Sequence, residues 1–122
     1  MYHFKEIVLK NKGIQKKRLV IVFDDDDKAM ISEFLMSDAL MFESELITDV
    51  EAVLNGRKSP FTSSGNRCTI TVGQRVTTIE DLFADMYDNV PSYEPITIET
   101  ELLLHIMKDW IEKLTAFEAE ND

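Results

Sequence analysis

Leu103, Met107, Trp110, Leu114 and Phe117 follow one another at intervals of 4, 3, 4 and 3 residues, the period at which side chains line one face of an α-helix. The spacing predicts a long C-terminal helix over Thr97 to Glu118, capped by Thr97 or Thr100. A helix with one wide apolar stripe is stable only when that stripe is covered, so it must pack on a sheet, on a partner, or on both.

The rest of the chain supplies the sheet. Tyr2 to Leu9 and the run Leu19 to Phe23 flank Asn11-Lys12-Gly13 and read as strand, turn, strand, the second continuous enough in apolar residues for an interior strand. Cys68, Ile70 and Val72 alternate with Thr69 and Thr71, and Gly73-Gln74 predicts a type II′ turn into Arg75 to Ile79. Between the two hairpins, Ala29 to Met36 has helical character. Ser37-Asp38 offers a cap for a second helix whose apolar positions are Leu40, Ile47, Val50 and Leu54, ended by Asn55-Gly56. Arg57 to Arg67 reads as a loop with a short edge strand near Phe61, and Glu80 to Val90 as an irregular acidic stretch. The expected architecture is α+β: an antiparallel sheet of about four strands packed with two or three helices, in a single domain over residues 1–122.

Charge is the strongest compositional signal. The chain carries 13 basic and 23 acidic residues, a net of -10. In Met1 to Val20 six basic residues face Glu6 alone, a net of +5, which leaves 7 basic against 22 acidic, or -15, for the remainder. Asp24 to Gly56 holds ten acidic residues against Lys28, and Val76 to Met107 holds seven with no Lys or Arg. Such a surface repels a polyanion, so direct nucleic-acid binding is not expected. No apolar run reaches the length of a bilayer span and Met1 to Lys12 lacks a signal-peptide core, so no membrane association and a cytoplasmic location are expected. The single cysteine, Cys68, fits a reducing compartment and a small buried apolar role.

Catalytic chemistry finds no foothold. His3 and His105 lie far apart without zinc spacing, Ser63, Ser64 and Cys68 have no histidine near them in sequence, and the four glycines form no phosphate-cradling loop. Carboxylate pairs such as Asp85 and Asp88, or Glu99 and Glu101, arise by chance in so acidic a chain. Asp24-Asp25-Asp26-Asp27 lacks the alternate-residue spacing of a calcium loop; it serves either to complement a helix N-terminus or as a protein-binding patch. No cofactor, no metal and no enzymatic activity are expected.

Asp38 and Phe42 ahead of Val53-Leu54-Asn55-Gly56, then Gly65-Asn66 and Cys68, Thr78-Ile79 and Asp81, Thr100-Glu101-Leu102 and Trp110 together give the block from Phe34 to Trp110 a likeness. It resembles small acidic bacterial immunity proteins encoded beside contact-dependent or polymorphic toxins. That resemblance implies a non-enzymatic cytoplasmic protein that binds one cognate toxin domain, often a basic nuclease, and neutralises it. Contacts are then expected at Asp24, Asp25, Asp26 and Asp27, and at Asp81, Asp85, Asp88 and Glu94, with Tyr87 and Tyr93 as aromatic anchors. The alternative is an acidic adaptor that forms a homodimer through the Leu103, Met107, Trp110, Leu114 seam.

Overall fold

The computed structural model describes residues 2–25, 28–37, 43–65, 67–82 and 94–120. Strands β1 (Tyr2–Asn11) and β2 (Ile14–Phe23) pair antiparallel along their whole length. Lys12 and Gly13 make the turn with φ of 52° and 81°. Positive φ at both central residues is the type I′ condition, whose twist matches the flanking strands. The expectation of an interior strand for Leu19 to Phe23 is corrected here. Among the described residues β2 pairs with β1 alone, in a two-stranded sheet separate from the main one. Its apolar run is accounted for differently: Leu19 and Ile21 are buried, and β2 packs against the first helix.

Helix α1 (Ala29–Ser37) and helix α2 (Glu43–Leu54) follow. The buried stripe of α2 is Leu46, Val50 and Val53, with Ile47 and Leu54 packed at its margin, while Asp38 and Leu40 lie outside the described residues. Its end is a Schellman motif: Arg57 N–H reaches Ala52 O at 2.8 Å, Gly56 N–H reaches Val53 O at 3.1 Å, and Gly56 has φ of 73°.

The main sheet has the order β3 (Phe61–Ser64), β4 (Cys68–Val72), β5 (Val76–Asp81) and β6 (Ile96–Glu99), antiparallel throughout. Two local expectations are corrected. Gly73 is not in the positive-φ region that a II′ turn demands; it is needed because a Cβ there would lie 2.8 Å from Val76 O. The C-terminal helix does not begin at Thr97, since Ile96 to Glu99 forms the edge strand β6. The alternating β-branched residues Ile96, Thr97 and Ile98 favour a strand, and Ile98 is buried against the core.

Helix α3 (Thr100–Glu120) starts at Thr100, but the Thr100 hydroxyl does not cap it. Thr100 Oγ1 donates to Gly73 O at 2.6 Å and its N–H to Arg75 O at 3.0 Å, pinning the helix start to the β4–β5 turn. With that proton committed, the buried Thr77 hydroxyl is the donor in its 2.7 Å bond to Thr100. Leu103, Met107, Trp110 and Leu114 are buried in the core with Ile70, Val72 and Ile79 of the sheet. The apolar seam is covered within one chain, and it is not a free face for joining two copies. Among the described residues no helix is long and apolar enough to cross a membrane.

Candidate interaction surfaces

Strand periodicity sorts the four-stranded sheet into two faces. Cys68, Ile70, Val72, Thr77, Ile79, Asp81 and Ile98 point to the helices and are buried. The other face carries Thr62, Thr71, Thr78 and Thr97, which stand in register across all four strands. Their hydroxyls pair at 3.4 Å between Thr62 and Thr71 and 3.2 Å between Thr78 and Thr97. Glu80 and Glu99 lie on the same open face, and none of the four strands carries a Lys or Arg. Glu94 is exposed just ahead of β6. The open face is thus a hydroxyl-lined platform with only negative charge on its strands.

Asp81 leaves the expected contact set. Its side chain is 0% exposed and is held by Arg67 in a fork, Nε to Oδ1 at 2.9 Å and Nη2 to Oδ2 at 3.0 Å. Glu33 on α1 approaches the same guanidinium, 3.9 Å from Nη1. Leu82 N–H also reaches Arg67 O at 2.8 Å. This pairing ties the β3–β4 loop to β5 and α1. Arg67 was visible in the sequence only as a loop cation, because nothing in local spacing tells a buried fork from a solvated side chain.

The aspartate run is described at two positions. Asp24 is exposed with its Oδ1 3.6 Å from His3 Nδ1, and Asp25 is exposed with its Oδ2 3.6 Å from Lys28 Nζ. Asp26, Asp27, Asp85, Tyr87, Asp88 and Tyr93 lie outside the described residues. Among the described residues no three His, Cys, Asp or Glu side chains are grouped so as to hold a metal ion.

The opposite charge is gathered on the hairpin. From Lys5 to Arg18 almost every side chain is exposed, including Val8 at 53%, Leu9 at 45% and Ile14 at 70%. Only the base is anchored: Tyr2 Oη donates to Asp109 Oδ2 at 2.9 Å, and the Phe4 ring stacks on Trp110 with centroids 6.1 Å apart. Burial, then the bond to Asp109, pushes the Tyr2 phenol up to about 12. A groove of about 800 Å³ opens between this hairpin and the C-terminal half of α3. The sequence showed its cations as a charge imbalance but not that they line one groove with Trp110.

Comparison with protein-family models, with curated proteins and with solved structures returned no match for this chain.

Proposed function

We propose that this chain is a non-enzymatic immunity protein that binds a basic, nuclease-type toxin domain in the cytoplasm and neutralises it. The observation that carries the reading is the open face of the sheet, whose strands bear Glu80 and Glu99 and no cation. Glu94 is exposed just ahead of β6, and Asp85 and Asp88 belong to the acidic stretch of sequence between β5 and β6. Placing the six cations of the first twenty residues on a separate two-stranded arm leaves the body at -15. A surface of one sign steers a partner of the other sign and suppresses like-charged competitors. The exposed side chains of Thr62, Thr71, Glu80, Thr97 and Glu99 are fixed by their strand backbones, so association requires little reordering.

The test is co-expression with the toxin domain encoded immediately upstream, scored by growth, followed by gel filtration at low and high salt. Restored growth with a one-to-one complex that weakens as salt rises is the expected result. Glu80→Lys/Glu99→Lys alters only exposed side chains, and it is expected to slow association by about tenfold while leaving the thermal midpoint nearly unchanged. Asp85→Lys/Asp88→Lys tests the adjoining segment in the same assay. Continued toxicity with no complex removes the proposal; a complex indifferent to both charge reversals removes the acidic face from it.

A further inference from the structure

On the hairpin side the groove is lined by Lys16, Lys17, Arg18 and Leu19, four consecutive residues of β2, and by Leu9, the β1 partner of Lys16, while Glu118 of α3 is the acidic residue in its lining. Consecutive residues of a strand point to opposite faces, so a groove that touches all four runs along the strand's edge. Among the described residues β2 has β1 as its only strand neighbour, and no other strand pairs with that edge. Ser32 Oγ donates to Ile21 O at 3.0 Å, which shows that the Ile21 carbonyl is turned away from β1. By the two-residue period of an antiparallel ladder, the backbone groups of Leu19 and Lys17 are turned outward too. Helix α1 covers the edge at Ile21 and reaches the groove with Met36. Beyond it the edge faces Trp110, Leu114 and Phe117 of α3 across the groove.

We propose that this groove receives an extended peptide segment that adds as a strand to β2 and alternates acidic with apolar side chains. The free N–H and C=O groups of Lys17 and Leu19 supply the ladder for such an addition. Lys16 and Arg18 share one face of β2, exposed, and carboxylates on the added strand would stand beside them. Leu19 shares the other face with Lys17, Ile21 and Phe4, and the intervening apolar side chains would pack at Leu19, toward Trp110, with the exposed Lys17 at the outer end. Cations along an exposed edge discourage indiscriminate strand pairing, so they select for an acidic occupant. This surface is opposite in sign to the open sheet face and does not depend on the immunity reading.

The chain contains one tryptophan, and Trp110 lines the groove, so its fluorescence reports occupancy. The full chain is titrated with a short acetylated, amidated peptide alternating glutamate and leucine. A saturable one-to-one change is expected. Lys16→Glu/Arg18→Glu is expected to weaken it by about tenfold, whereas Arg57→Glu/Arg75→Glu, with the same change in net charge at exposed sites away from the groove, leaves it unchanged. The same peptide N-methylated at alternate amides, which cannot form the ladder, is expected not to bind. The proposal is overturned by the absence of a saturable change, or by equal binding of the methylated peptide. It is likewise overturned if dodecanoate shifts the Trp110 signal and the peptide does not, or if Lys16→Glu/Arg18→Glu abolishes self-association measured by sedimentation, which would assign the groove to a second copy.

Discussion

Asp81 and Arg67 illustrate how one buried charge governs its surroundings. A carboxylate with no solvent exposure is made tolerable by a guanidinium that meets both its oxygens. Arg67→Met removes the fork from that buried charge and is expected to lower unfolding stability by about 3 kcal/mol in urea titrations. Arg67→Met/Asp81→Leu removes both charges and is expected to recover most of the loss, which a double-mutant cycle reads directly. Tyr2 gives a pH-dependent counterpart. Its phenol ionises near 10.0 in the unfolded chain and near 12 in the folded one. Its contribution is therefore fully present below pH 10 and is lost as pH rises toward 12, because the unfolded state gives up its proton first. Stability measured across that window is expected to fall less steeply in Tyr2→Phe than in the parent.

Elements meet at a few backbone points, and the β4–β5 turn is the densest of them. Gly73 N–H bonds to Val76 O at 3.0 Å, Gly73 O accepts from Thr100, and Arg75 O accepts the Thr100 N–H. One tight turn thereby sets where strand β6 ends and helix α3 begins. Gly73→Ala forces a Cβ against the Val76 carbonyl oxygen at 2.8 Å and is expected to cost about 2 kcal/mol by chemical denaturation. The β1–β2 hairpin contrasts with this: its base is packed and its distal half is bare. An isolated two-stranded ribbon is marginal in water. Hydrogen exchange is therefore expected to show the amides near Leu9 and Lys16 opening far below the global unfolding energy, with those of Ile70 and Ile79 protected up to it.

Across the whole molecule, charge is divided along structural lines. The arm that carries +5 is a separate sheet, and the helices and the main sheet carry the excess of carboxylates. At neutral pH a net of -10 repels itself in the compact state. Moderate sodium chloride is therefore expected to raise the denaturation midpoint while weakening a complex with a basic partner, and the two trends separate folding from binding electrostatics. The same division gives the protein two faces of opposite preference, a negative platform on the sheet and a cationic, half-apolar groove beside the arm.

Period and turn chemistry by themselves determined much of this protein. The C-terminal helix with its buried stripe, α1, the Gly56 stop and the pairing of Cys68 to Val72 with the strand after Gly73 were legible because each rests on contacts within a few residues. The mixed α+β class followed from them. What tertiary structure alone decided are the matters that depend on distant partners. Ile96 to Glu99 is a strand because β5 offers it an edge, although the helix that follows shares its sequence neighbourhood. Leu19 and Ile21 of the apolar run are buried with helix residues, and among the described residues no strand beyond β1 pairs with β2. Asp81 is internal because Arg67 folds back over it, and the Lys16 to Arg18 cations border a groove only because α3 ends beside them. Local sequence encodes which groups a segment carries and its period, while burial and pairing belong to whichever surfaces the completed chain brings into contact.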